Sequence, residues 1–252
     1  MTNGESVLRH DSAPVIHSSF LIRHSSFVAL LSVTALLSIT SAREVQSHGL
    51  LFEKWLRDTF FGGYTPASHT QKWDIPAEHN PDHGHIPVNP KAIKYGTPVD
   101  FGDALRQFEI VEKRERFLVI VGFWDQVTKT EKKWVNVQAV DITPDQWAAI
   151  WKPVTRADLE RLVAVVKDKS LSLDEARKRA KEMKSKPPFT ESVMQVNPKI
   201  DGSQRRLQCS VRFEDFFKHL APKADASREE QPKVFGVAVP KQFASEARKI
   251  AP

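Results

Sequence analysis

The sequence predicts a mixed α/β domain in which a sheet is flanked by helices, and three observations carry that prediction. Phe117 to Trp124, FLVIVGFW, is an unbroken run of β-formers, the pattern of a central strand covered on both faces. Three helix-start signatures follow it, at Thr143, Thr155 and Ser172. Beyond them, the turn signal Asp201-Gly202-Ser203 separates two runs of alternating polarity, which reads as a hairpin.

In chain order, residues 42 to 61 carry apolar positions at helical spacing: Val45, Phe52, Leu56 and Phe60, flanked by Leu51 and Trp55. Gly62-Gly63 ends that helix. Lys72 to Pro76 is a short alternating segment, residues 77 to 85 (AEHNPDHGH) are a turn-rich connection, and Ile86 to Lys91 is extended. Asp100 to Val111 reads as a helix with Leu105 and Phe108 as apolar positions. Trp134 to Val140 alternates and pairs with the central strand as its neighbour. Thr143 with Gln146 is a capping-box pattern with Pro144 at the first helical position; Thr155 with Asp158 and Ser172 with Glu175 repeat it. Pro187-Pro188 stops the last helix, Val193 to Ile200 and Arg205 to Phe213 form the hairpin, and Glu214 to Leu220 is a short amphipathic helix. The polar composition after Pro222 predicts a flexible tail over residues 223–252.

The 252 residues suffice for one domain with a sizeable core, assigned here to residues 43–222. A net charge of +6 and a pI of about 9.4 favour polyanionic partners. With Cys209 as the single cysteine, an internal disulfide and a thiolate zinc site are both excluded. There is no glycine-rich phosphate loop and no serine-hydrolase elbow, so ATP-driven chemistry is not expected.

Residues 1–42 are set apart as a leader with two readings. Phe27 to Thr40 resembles a signal-peptide core, preceded by Arg23 and followed by small residues Ser38, Ser41 and Ala42. Against that, Ile16-His17-Ser18-Ser19-Phe20 and Arg23-His24-Ser25-Ser26-Phe27 are near-copies, as in translated repetitive DNA upstream of a true start. The expected location is cytoplasmic, with export as the alternative if the leader is a signal. No membrane association is expected, because the apolar run is too short and too rich in serine and threonine to span.

Metal-assisted phosphodiester hydrolysis needs oxygen ligands for magnesium and a group that orients water. By the two-residue strand period, Asp74 points opposite to Trp73 and Ile75, and Asn89 shares a face with Lys91, opposite Ile86 and Val88. An acidic residue on one strand, then a strand ending in acid-any-lysine, resembles the PD-(D/E)XK nucleases, the superfamily of the type II restriction endonucleases. The segments HGLLFEKWLRDTF, KWDIP, IPVNPKAIKYG and DALRQF occur in the order such enzymes use, and the likeness covers roughly residues 43 to 125. It implies a restriction-endonuclease-like fold, a central mixed sheet flanked by helices. It also implies a magnesium-dependent DNA endonuclease, with Asp74, Glu53 and Asn89 holding Mg2+ and Lys91 positioning the attacking water. Gln107, in the following helix, would help order the site. Double-stranded DNA would be the partner, with a homodimer compatible.

Two departures accompany the likeness. Asn89 stands where an acid is expected, and an amide oxygen ligates without charge. Pro87 and Pro90 remove backbone donors, so the strand is expected at an edge or bulged, and Lys94 becomes an alternative to Lys91. Simpler readings stand beside each residue: Glu53 precedes Arg57 by four, as in a surface ion pair, and Asp74 and Lys91 could be a turn former and a solvated lysine.

In the hairpin, Leu207, Cys209, Val211 and Phe213 alternate with polar positions, and Met194, Val196, Pro198 and Ile200 do so on the partner strand. The polar face, with Gln195, Asn197 and Lys199 opposite the arginines and Gln208, suits phosphates and base edges. Lys199, Arg205, Arg206, Gln208 and Arg212 are the candidate DNA contacts; an ordinary solvated sheet face is the simpler alternative. Cys209 belongs to the core side. Two further readings remain: a transition-metal site from Glu78, His79, Asp82, His83 and His85, and a non-catalytic DNA-binding protein on a decayed nuclease fold.

Overall fold

The computed structural model describes residues 49–66 and 72–244; the 1–42 leader, Val45 and the last residues of the predicted tail lie outside them. The architecture is mixed α/β. Helix α1, whose described part covers residues 49–60, is followed by β1 (Val88–Lys94), β2 (Val99–Asp103), α2 (Ala104–Glu112), β3 (Phe117–Gln126) and β4 (Glu131–Ile142). Then come α3 (Pro144–Trp151), α4 (Arg156–Lys167), α5 (Leu173–Lys184), the hairpin β5 (Gln195–Ile200) and β6 (Arg205–Val211), and α6 (Phe213–Asp215), which runs into a π-turn at Phe216–Leu220. Short strands β7 (Lys233–Val234), β8 (Val237–Ala238) and β9 (Gln242–Ala244) close the described chain.

The main sheet is mixed, in the order β1-β3-β4-β9. β1 runs parallel to β3 through the β2–α2 crossover, and β3 pairs antiparallel with β4. FLVIVGFW lies inside β3, between β1 and β4, with both faces buried. Its odd residues, Phe117, Val119, Val121 and Phe123, enter a large core with Trp147, Leu159 and Leu207. Its even residues Leu118 and Ile120 enter a smaller core with Phe52 and Leu56 of α1 and with Trp134. The two faces thus pack against different helices, as the continuous apolar run requires.

The helix boundaries follow their chemistry. Gly62 and Gly63 adopt φ of +60° and +70°, and Gly63 N–H returns to Arg57 O at 2.9 Å, which closes α1. Both halves of the capping box form at Thr143/Gln146 and at Thr155/Asp158, whereas Ser172 supplies only the hydroxyl half, accepting from Glu175 N–H. The helix expected from Asp100 begins later: residues 99–103 form β2, and Asp103 caps α2 by accepting from Arg106 N–H.

β2 does not join the main sheet. It pairs antiparallel with β6 in a second sheet, β2-β6-β5, so the hairpin gains a third strand that alternation alone does not reveal. Gly102, with φ +88°, sits at the irregularity where this register shifts between Asp100 and Gly102.

Residues 223–244 are pinned to the domain rather than leaving it. Asn136 donates to Asp225 O and Ser227 O at 2.9 and 2.7 Å, Glu229 N–H bonds Val135 O, and Arg228 pairs with Asp125. The polar composition that reads as a tail conceals this, because the partners are backbone carbonyls gripped from β4.

Candidate functional site

The short segment around Asp74 contacts β1 through one antiparallel bridge, Ile75 to Val88, with hydrogen bonds in both directions at 3.2 and 2.8 Å. One residue beyond the bridge on either chain are Asp74 and Asn89, and Lys91 follows on the face that Asn89 presents. Register confirms that face. Asn89 pairs with Val119, Lys91 with Val121 and Ile93 with Phe123, all on the large-core side, while Val88 pairs with Leu118 on the other. Lys94 has the parity of Val88 and ends the strand exposed, so Lys91, not Lys94, shares the face of Asn89.

The prolines fit this edge. Val88 spends both backbone groups on Ile75, while Pro87 O accepts from Leu118 N–H and Tyr95 N–H donates to Trp124 O. Odd positions of β1 therefore face β3 and even positions face outward. Pro90 turns its nitrogen away from the ladder, where a missing donor costs nothing.

Three of the four predicted residues converge in charge. Lys91 Nζ lies 4.0 Å from Asp74 Oδ2. Glu53, on α1, pairs with Arg57 at 3.6 Å. Burial pushes the Glu53 carboxyl above the usual range, and the Asp74 charge raises it further; Lys91 and Arg57 pull the other way. The Arg57 pair is therefore real, but it is not an isolated surface bridge, since Glu53 also feels Asp74 and Lys91. Asn89 is the fourth member: it is buried, and its Oδ1 has no hydrogen-bond partner.

The position of α1 depends on a glycine. Gly122 in β3 lies under α1, and a Cβ there would stand 2.8 Å from Phe52 Cζ. The helix bearing Glu53 thus lies flush on the sheet because position 122 has no side chain.

Gln107 is buried and its Oε1 is likewise unpartnered, while its carbonyl accepts from Trp147 Nε1 at 3.0 Å. It anchors α3 to α2 through its backbone, and its side-chain oxygen remains an unused acceptor. Asp100 and Asp103 of β2 were not singled out from the sequence. Burial raises the Cys209 thiol well above its usual range, Asp100 and Asp103 add to this, and Lys91 opposes it. The second sheet therefore brings two more carboxylates toward Cys209. Only the β2–β6 pairing creates that neighbourhood, and no local sequence signal marks it.

The histidine-rich connection does not gather into a metal site. Among the described residues no group of three or more histidine, cysteine, aspartate or glutamate side chains is placed to hold an ion. His79 stacks on Tyr64 at 4.2 Å and His83 on Phe235 at 3.6 Å. Buried Asn80 shapes the loop by donating to His83 O and Ile86 O. The transition-metal reading has no support from this arrangement.

The five candidate DNA contacts separate. Lys199 and Arg206 face each other across the hairpin, with Asn197 opposite Gln208. Arg205 is elsewhere: its guanidinium donates to Asp168 O and Leu171 O and braces the α4–α5 turn. Arg212 lies past the end of β6 and pairs with Asp215 at 2.6 Å. Cys209 is fully buried on the core side.

No helix among the described residues is long and apolar enough to cross a membrane. Compared with protein-family models, with curated proteins and with solved structures, the chain matches none.

Proposed function

We propose that the chain is a magnesium-dependent DNA endonuclease of restriction type, built on a restriction-endonuclease-like fold. The observation that carries this reading is the grouping of Asp74, Lys91 and Glu53, with Asn89, whose oxygen is unpartnered, across from Asp74 one residue past the Ile75–Val88 bridge. A carboxylate whose charge raises the proton affinity of Glu53, together with a buried orphan acceptor, fits a hard divalent cation and its preference for oxygen. Asp74, Glu53 and Asn89 would hold Mg2+, whose charge, when bound, offsets the charge that develops on phosphate during hydrolysis. Lys91 holds its ammonium beside Asp74, where it can orient water and attract a phosphate oxygen. The basic balance of the chain supports double-stranded DNA as substrate. A cytoplasmic location and a homodimer are compatible with this proposal.

The test is incubation of the purified chain with supercoiled plasmid, with Mg2+ or with chelator. Cutting that needs Mg2+ and disappears in Asp74→Asn and Lys91→Ala is expected. Cutting that persists in both variants contradicts the reading.

A second reading is favoured by one observation: the site offers two carboxylates where a third acid would replace Asn89. On that reading the chain binds DNA without cutting it. Wild type inert with Mg2+, and Asn89→Asp active, would establish it.

A further inference from the structure

The polar face of the second sheet is graded along its length, and the register defines the steps. From the turn inward, Lys199 faces Arg206, then Asn197 faces Gln208, then Gln195 faces Ser210. On the far side, β2 places Asp103 beside Gln208 and Asp100 beside Ser210. Cations occupy the hairpin end and amides the middle, with Asp103 flanking the amide rung and Asp100 the rung at the base. β2 stops at the Gln208 rung, so the cationic rung lies on a two-stranded ribbon.

The side chains differ in what they have already spent. Nearly every described arginine has its guanidinium held by a carboxylate or carbonyl of the same domain; Arg205 and Arg212 are examples. Among the described residues, Arg206 and Arg106 have no such partner, and Arg206 and Lys199 are both exposed. Lys184, at the end of α5, donates to Val196 O at 3.1 Å, and its proton affinity is lowered by burial and then by Lys199. Two lysines thus repel one another at the β5 edge, next to an unspent arginine. The amides are half-buried. Asn197 gives one N–H to Ser210 Oγ at 2.8 Å, which fixes its plane and leaves its oxygen available. Gln208 has no side-chain partner among the described residues.

We propose that this face is a duplex-DNA reader with divided labour: Lys199 and Arg206 hold phosphates, and Asn197 with Gln208 contacts base edges in the major groove. The inference deepens the nuclease reading and rests on it for the identity of the polyanion. Its chemistry is independent of the metal site. Amide side chains carry paired donors and acceptors that match adenine edges, whereas ammonium and guanidinium groups clustered at a ribbon end match a phosphate row. β2 reaches the amide rung only through its last residue, Asp103, and beyond it the ribbon narrows to two strands, within a groove about 12 Å wide. The carboxylates of β2, away from the cationic rung, would repel phosphate and so orient the duplex along the ribbon.

The test uses the full chain and fluorescence anisotropy with a labelled mixed-sequence duplex, from low to moderate salt and without Mg2+. Lys199→Ala with Arg206→Ala is expected to flatten the slope of log affinity against log salt by roughly 2 units, since each phosphate contact contributes about 0.9. Asn197→Ala with Gln208→Ala is expected to leave that slope unchanged and to broaden the sequences recovered from a randomised duplex pool. Lys199→Glu with Arg206→Glu serves as a second variant on the same exposed positions, and thermal melts check folding. Wild-type slopes in both cation variants, while the chain still binds duplex, overturn the inference and leave the DNA reading standing. Binding with the predicted slopes but no cutting upholds the inference and removes the nuclease reading. No duplex binding by the wild type overturns both.

Discussion

Replacing Gly122 with alanine tests how α1 delivers Glu53 to the site. Gly122 pairs with Ala92 of β1 and Val137 of β4, at the centre of the mixed sheet. An added Cβ would stand 2.8 Å from Phe52 Cζ, 2.8 Å from Trp134 Cζ3 and 3.0 Å from Phe52 Cε2. Carbon atoms pack comfortably at about 3.5–4.0 Å, so both rings must retreat by about 0.7 Å. Phe52 and Trp134 lie with centroids 4.6 Å apart, and Phe243 stacks on Trp134, also at 4.6 Å, so the rings can give only into the pocket they line with Leu51, Trp55, Val239 and Pro240. Overpacking of this kind costs about 1–3 kcal/mol, and replacing a strand glycine returns about 0.5–1 kcal/mol. The net loss, centred on about 1 kcal/mol within a range of about 0–2.5, corresponds to a central fall of roughly 2–4 °C in Tm for a domain of this size. Phe52 and Glu53 are adjacent on one helix, so Gly122→Ala should displace the carboxylate as well, and on the nuclease proposal Mg2+-dependent cleavage should fall by more than the loss of folded protein accounts for. Differential scanning fluorimetry and the plasmid assay read the two effects. Adding Phe52→Leu to Gly122→Ala should recover much of the Tm. Wild-type Tm and cleavage in Gly122→Ala alone would refute the argument that α1 is seated on this glycine.

Three more predictions follow from the same geometry. Glu53 has a raised carboxyl pKa in the folded chain, so the folded state holds its proton more tightly than the unfolded state does, and stability is lost as pH rises through that window. Glu53→Gln should therefore raise Tm at neutral pH, with the gain vanishing as pH falls into the ordinary carboxylate range; melts across that range check the sign, and a gain that grows toward acid would contradict it. Thr155→Ala removes one half of the box that starts α4, where the hydroxyl accepts from Asp158 N–H, and should cost about 1 kcal/mol by denaturant titration. Cys209 is fully buried with its thiol pushed up, so it should resist a disulfide reagent in native buffer and react once the chain is unfolded.

Much of this arrangement is legible in the residues because it rests on local chemistry. The central strand follows from FLVIVGFW, the starts of α3, α4 and α5 follow from their caps, the end of α1 follows from Gly62-Gly63, and the hairpin follows from Asp201-Gly202-Ser203. Alternation also puts Lys199, Arg206 and Gln208 on one face, as the register bears out. Elements defined by distant partners are not legible in this way. β2 reads as the start of a helix because Leu105 and Phe108 have helical spacing, and its strand character comes from β6, more than 100 residues later. The strap at 223–230 reads as a tail because its order is imposed by Asn136 and by backbone carbonyls. Arg205 has the same parity as Leu207, so alternation places it with the core side; the carbonyls it braces depend on where α4 ends. The convergence of Glu53 with Asp74 and Lys91 lies between these cases: the strand positions are periodic, but the helix reaches them only because Gly122 lets it close on the sheet.

Calorimetric titration of Mg2+ into the full chain, in parallel with Asp74→Asn and Glu53→Gln, examines the proposed ion site without requiring the right DNA sequence. A single binding event in the wild type, weakened about tenfold or more by either change and strengthened by Asn89→Asp, is what shared ligation by these oxygens demands. Binding equally tight in all four proteins, or none in any of them, would mean that the grouping at residues 53, 74 and 89 is not a cation site.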